Sequence, residues 1–239
     1  MNIKNISGHG KIEYGKGVVY EGEFQKKKPH GVGKMTYKDG RVREGIWKDG
    51  EIEYEGQLNE HGQPHGRGKR FYSNATYEGE WQNGQKHGKG TAERADGSTS
   101  YTGGFRAGKR HGKGVMTYAN GDTYDGQWKN GRKDGKGTLK YHNGDVYKGE
   151  FSKGKLHGKG TFVYAAGDLI KSIGEWKKGK MCGVFKDVEK VEVIEQVYYE
   201  NGELKTDSYV KREREASNEV TDIDDFPPSK RRNVCVSPP

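Results

Sequence analysis

Large apolar side chains recur along the chain in pairs four residues apart, with a glycine midway between them. Tyr20, Tyr54, Tyr77, Tyr101, Tyr124 and Tyr147 are each followed two residues later by Gly22, Gly56, Gly79, Gly103, Gly126 and Gly149. Four residues after each tyrosine stands Phe24, Leu58, Trp81, Phe105, Trp128 or Phe151. Positions two apart share one face of a strand, whereas Asp125, Gln127, Thr138 and Lys140 point to the other. No helical periodicity is sustained anywhere, so the pattern predicts β-strands throughout. Glycine in mid-strand weakens a strand, and its regular use here predicts room left for a neighbouring aromatic ring.

The units repeat every 23 residues for most of the array, the length of a strand-turn-strand unit plus a connection. Each second half carries His-Gly-x-Gly, at His30-Gly31, His65-Gly66, His87-Gly88, His111-Gly112 and His157-Gly158, and is read as a turn. A tyrosine follows in most units (Tyr37, Tyr72, Tyr118, Tyr141, Tyr164), and then Asp39-Gly40, Asp96-Gly97, Asn120-Gly121 or Asn143-Gly144. Asp-Gly and Asn-Gly tolerate the positive φ of tight hairpin turns. The unit beginning near Trp47 is truncated, around residues 43–53, and the Tyr54 unit has one extra residue before His65. Trp176 closes the last recognisable first half, with Cys182-Gly183 where His-Gly would stand. These readings give a repeat array over residues 1–183, a strand and capping hairpin over 184–210, and a disordered polar tail over 211–239.

Composition narrows the function classes. Only 29% of residues are hydrophobic and 32% are charged, with 39 glycines and 15 tyrosines, which favours a thin aromatic core over a thick globular one. Residues 1–180 hold 34 Lys+Arg against 21 Asp+Glu, while residues 181–239 hold 9 against 13. A basic body beside a mildly acidic tail points to anionic partners, or to tail-body contact. No apolar run suggests a signal peptide or a membrane span, and two cysteines, Cys182 and Cys235, suit a reducing compartment. A cytoplasmic protein is expected, at the membrane periphery or cytoskeleton if a partner holds it there. A short basic cluster at Lys230-Arg231-Arg232 gives only slender support for the nucleus.

The run Tyr-x-Gly-Glu-Trp/Phe, Gly-Lys-x-His-Gly-Lys-Gly-Thr, Tyr, Asp/Asn-Gly resembles the MORN (membrane occupation and recognition nexus) repeat over roughly residues 7–183. The segment from Tyr147 to Gly167, YKGEFSKGKLHGKGTFVYAAG, shows the resemblance best. The resemblance implies an all-β fold: an elongated single-layer antiparallel sheet of successive hairpins forming a twisted trough. Arrays of this kind accompany many activities, so the repeat marks a module and not a job.

Candidate chemistry is sparse. The histidines recur once per hairpin, about 10 Å apart, too far for several to ligate one metal ion. No phosphate-loop ending, nucleophile elbow or kinase constellation is present, and no cofactor, metal or catalytic residue is expected. Two surfaces remain. One is an aromatic face of Tyr20, Phe24, Tyr37, Trp47, Tyr54, Tyr77, Trp81, Tyr101, Phe105, Tyr118, Tyr124, Trp128, Tyr141, Tyr147, Phe151, Tyr164 and Trp176. A single sheet is expected to leave these rings open to a protein segment or a second copy of the chain. The other is a lysine rim of Lys86, Lys89, Lys109, Lys113, Lys133, Lys136, Lys155 and Lys159, suited to acidic phospholipids or to plain solvation. Nucleic acid is disfavoured because the rings serve packing. The expected function is a non-enzymatic scaffold or adaptor, with a lipid-binding module and a regulatory subunit as alternatives.

Overall fold

The structure is a computed structural model that describes residues 7–167, 169–189, 197–200 and 203–206. Among these residues every regular element is a strand. In chain order they are β1 (Ser7–Glu13), β2 (Val19–Gln25), β3 (Lys28–Thr36), β4 (Val42–Lys48), β5 (Glu51–Leu58) and β6 (Pro64–Tyr72). Then follow β7 (Ala75–Gln82), β8 (Gln85–Arg94), β9 (Ser100–Arg106), β10 (Lys109–Thr117), β11 (Thr123–Lys129) and β12 (Arg132–Lys140). The rest are β13 (Val146–Ser152), β14 (Lys155–Val163), β15 (Leu169–Lys177), β16 (Lys180–Glu189), β17 (Val197–Glu200) and β18 (Glu203–Thr206). Strands β1 to β16 pair in sequence order in one open antiparallel sheet, and β17 and β18 pair only with each other. The chain divides into two compact units, with the boundary after Gly135 inside β12. The expected tail over 211–239 lies outside the described residues.

Two kinds of connection alternate. Within hairpins the turns are two residues long with both φ angles positive, as at Asn83 (48°) and Gly84 (78°), or Asn130 (52°) and Gly131 (83°). These are the primed turns whose twist matches that of the flanking strands. Between most repeats the chain makes a longer loop, although Ser73-Asn74 alone join β6 to β7. The Gly40 N–H donates to the Tyr37 carbonyl at 2.9 Å, Gly97 to Arg94, Gly121 to Tyr118 and Gly144 to Tyr141. There only the glycine is left-handed, and the preceding Asp or Asn uses its side chain to accept the N–H two residues on, as Asp39 does from Arg41 at 3.0 Å. The tight hairpin turns expected at Asp39-Gly40 and its equivalents are three-residue loops. The extra residue of the Tyr54 unit is explained likewise: its hairpin closes through Glu60-His61-Gly62, with Gly62 donating to Asn59. In the truncated unit, β4 turns at Asp49-Gly50 directly into β5, and Arg43 holds Glu55 at 2.8 Å.

The His-Gly-x-Gly segments are not turns, as the sequence had suggested, but bulges inside the second strand of each hairpin. Gly79 and Glu80, adjacent on β7, face Gly90 and His87 on β8, so Gly88 and Lys89 have no partner across that ladder. The same shift separates Gly149 from Glu150, and Gly22 from Phe24. The bulge requires left-handed backbone at Gly31 (66°), Gly66 (68°), Gly88 (54°) and Gly158 (58°), which glycine adopts without a Cβ clash. A side chain from the first strand brackets it. Glu80 Oε1 accepts the Lys89 N–H at 2.9 Å, Gln57 Oε1 that of Arg67 at 3.0 Å and Glu23 Oε1 that of Val32 at 3.1 Å.

Cys182 stands on β16, opposite Glu175 of β15. The second cysteine of the chain, Cys235, lies outside the described residues.

Candidate functional site

The aromatic face is built from the backbone outward. In each hairpin the repeat tyrosine lays its ring across the two facing glycines of its own strand pair. A Cβ on Gly33, Gly68, Gly90 or Gly114 would collide with the ring of Tyr20, Tyr54, Tyr77 or Tyr101 respectively, so the mid-strand glycines leave the ring room that the sequence pattern predicts. The buried hydroxyl then finds an acceptor three residues on: Tyr77 donates to the Glu80 carbonyl at 3.0 Å and Tyr124 to that of Gln127 at 3.0 Å. Burial pushes the phenols of Tyr20, Tyr54 and Tyr101 up to about 12, and those of Tyr77, Tyr124 and Tyr147 further still.

Successive rings meet edge to face. In the N-terminal unit a continuous series runs Tyr54–Trp81–Tyr77–Phe105–Tyr101–Trp128–Tyr124, with centroids 4.9–5.4 Å apart and planes 80–90° to one another. In the C-terminal unit Tyr147 contacts Phe151 at 5.2 Å and Trp176 at 5.1 Å in the same manner. This geometry sets the positive edge of one ring on the negative face of the next, adding about 0.5–1.5 kcal/mol per pair beyond area burial. The repeats are also tied by backbone. The turn glycines Gly84, Gly108 and Gly131 donate their N–H to the carbonyls of Pro64, Lys86 and Arg110, each in the preceding hairpin.

The rings expected to stand open are consequently covered. Tyr20, Trp47, Tyr54, Tyr77, Trp81, Tyr101, Phe105, Tyr124, Trp128, Tyr147, Phe151 and Trp176 are all buried, several with no exposed area. The expectation that a single sheet could not cover them is corrected: glycine lets each ring sink onto the backbone, and its neighbours seal the edges. Of the proposed face, Phe24, Tyr37, Tyr118, Tyr141 and Tyr164 remain half-buried. Tyr72, absent from that set, is 42% exposed.

The eight rim lysines do not line one edge. Lys89, Lys113, Lys136 and Lys159 alternate with strand glycines and point to the face opposite the rings. There Lys159 pairs with Glu175 and Lys113 with Gln127, so acidic and neutral side chains interleave with them. Lys109 and Lys155 begin strands β10 and β14 and are exposed. Lys86 and Lys133 instead turn onto the rings.

The position just before His-Gly, or before Asp134-Gly135 in one repeat, explains this last pair. It holds buried Pro29, Pro64 and Leu156 in some repeats, and Lys86, Arg110 and Lys133 in the middle three. Lys86 Nζ lies 4.9 Å from the Tyr72 ring centre and 4.8 Å from that of Tyr77. Lys133 Nζ lies 5.6 Å from Tyr118 and 5.4 Å from Tyr124. Arg110 stacks at 4.4 Å on Trp128 and donates to the Gly131 carbonyl at 3.0 Å. Such contacts are attractive because the ring face is negative. Burial holds the Lys86 ammonium below its ordinary pKa and Arg70 adds to the effect; burial does the same at Lys133, offset by Asp122. Apolar residues and cations sharing one repeat position are a legible sign of an inward-facing column, which includes Arg110, a residue outside the expected rim. The histidines reach toward the next hairpin's turn: His65 Nδ1 lies 3.3 Å from Asn83 Oδ1, and His30 Nδ1 lies 4.0 Å from Asp49.

Comparison with known proteins places these features. The family model described as MORN repeat matches residues 20–40, 54–76, 77–99, 101–123, 124–146, 147–169 and 173–184. Among curated proteins there is no match. One similar solved structure is the SAS-4 (dCPAP) TCP domain in complex with a proline-rich motif of Ana2 (dSTIL), from Drosophila melanogaster. It shares 15% identity over 68% of this chain and 85% of that one, with a TM-score of 0.32, a likeness too slight to bear on partners.

Proposed function

The chain belongs to the MORN repeat family, and from that premise we propose that it is a non-enzymatic scaffold that holds a segment of another protein on the ring-bearing face of its sheet. One observation carries the reading. The strand rings are used up in the core, but a second tier of tyrosines at the strand ends, Tyr72 and Tyr118 foremost, stays partly exposed beside ordered cations. A rigid tyrosine offers a large contact area and a polar tip at small entropic cost, which suits it to a binding surface. The core beneath fixes the spacing of that tier, so a partner meets a preorganised row.

The test replaces Tyr118, and separately Tyr72, with photo-crosslinking benzoylphenylalanine in the native cell. A discrete protein adduct, lost when the neighbouring tier tyrosine is changed to Ser, supports the scaffold. Adducts that are absent or indifferent to that change would reject this face. Trp81→Ala and Trp128→Ala are unsuited to the purpose, because both indoles are core and their loss would unfold the array.

A further inference from the structure

Three successive repeats of the N-terminal unit carry a cation at one position on the ring-bearing face: Lys86 on β8, Arg110 on β10 and Lys133 on β12. Each is two strands from the next, so the interval is about 10 Å. We propose that this column binds an extended acidic polypeptide running across the strands, with a carboxylate at every third residue. The inference rests on the scaffold reading above and names the chemistry of its partner.

Four observations lead there. The cations are held, since their heads sit 4.4–5.7 Å from ring centres and Arg110 also donates to the Gly131 carbonyl. Held charges form ion pairs without the entropy loss that weakens a free surface lysine. Lys86 is also repelled where it is. Arg70 and Lys86 both lie over the Tyr72 ring, at 5.7 and 4.9 Å, and Arg70 lowers the Lys86 pKa although it pairs with Glu53 at 3.8 Å. An anion from outside would relieve that repulsion. The third observation is the interval. A left-handed extended helix has three residues per turn and a rise of about 3.1 Å, so one of its faces repeats every ~9.3 Å, close to the strand-pair spacing. Finally, the cations are recessed among rings with short reach, whereas contact with a lipid surface favours long, projecting lysines.

The experiment uses the full chain and fluorescein-labelled peptides, read by anisotropy at low and moderate salt. One peptide repeats the triplet Glu-Pro-Pro, and its isomer has the same composition with all glutamates in one block. The triplet peptide should bind about tenfold more tightly than the isomer, and Lys86→Met and Lys133→Met should each weaken it by about tenfold. Methionine fills the space of the stem, and a melting temperature no lower than that of the parent chain excludes unfolding. Equal binding of the two peptides, or none by either, would overturn the proposal. So would phosphatidylserine vesicles that bind in the peptide's stead and are released by Lys86→Met. A cellular adduct at position 118 that survives both methionine substitutions would leave the scaffold standing and remove only its acidic partner.

Discussion

The indole N–H of Trp128 donates to the carbonyl of Gly114 at 3.0 Å, joining one repeat to the bulge of the repeat before it. Trp47 and Trp81 make the same bond to Gly33 and Gly68, both at 3.0 Å. Phe105 and Phe151 fill the equivalent place elsewhere and have no N–H to give. Trp128→Phe should therefore keep the fold while lowering stability by about 1–2 kcal/mol, since a buried carbonyl loses its donor. Urea unfolding followed by circular dichroism measures this, and a loss below a few tenths would show that the bond contributes nothing.

Gly114 and Tyr101 should behave as one unit. Any Cβ at 114 meets the Tyr101 hydroxyl and ring, so Gly114→Ala should destabilise by about 1–3 kcal/mol. Tyr101→Phe removes the hydroxyl oxygen that stands nearest. In a double-mutant cycle the two changes should be non-additive by at least about 0.5 kcal/mol, with the alanine better tolerated when phenylalanine is present. Simple additivity would mean that the ring does not rest where the structure puts it.

Alkali should unfold the array late and cooperatively. Tyr20, Tyr54 and Tyr101 have folded-state pKa values of about 12 against 10.0 for an open phenol. A raised pKa means the folded state holds its proton longer. Its contribution to stability is full below pH 10 and is lost as the pH climbs through 12. Tyrosinate absorbance should show one set of phenols titrating near pH 10 and another appearing only as the β-sheet signal collapses. A single transition near pH 10 with the sheet intact would contradict the burial.

Lys86→Met should raise stability, by up to about 1 kcal/mol in thermal or urea unfolding. The lysine is half-buried, and both its burial and Arg70 disfavour its charge. Methionine fills the same space and keeps contact with the rings of Tyr72 and Tyr77. If stability falls instead, the cation–ring contacts outweigh the desolvation.

Most of the fold was legible because its determinants are local and recur. Period two in Tyr124, Gly126 and Trp128 showed strands, and the facing glycines showed that rings would lie over backbone. The His-Gly bulges were less legible. A left-handed glycine serves a turn and a bulge equally, and only pairing across the ladder, Glu80 to His87, tells them apart. The exposure of the aromatic face was misjudged because burial depends on how deeply a ring sinks, which is settled by the joint placement of Tyr77, Gly90 and Phe105 and not by any one of them. Lys86 was grouped with Lys89 as a rim residue, although three residues apart on a strand they lie on opposite faces.

Sequential strand order has a consequence for how the molecule is made. Each of the sixteen strands of the main sheet pairs with its immediate neighbours in the chain, and the ties between repeats span short stretches, as from Trp128 back to Gly114 or from Gly84 back to Pro64. A 23-residue repeat takes roughly 1–5 s to synthesise, while a hairpin closes in roughly 1–10 μs. Every hairpin can therefore settle onto the one before it while the ribosome is still translating the next. The nascent chain would present one growing sheet edge at a time, so that the ribosome's pace becomes a safeguard against pairing between different molecules.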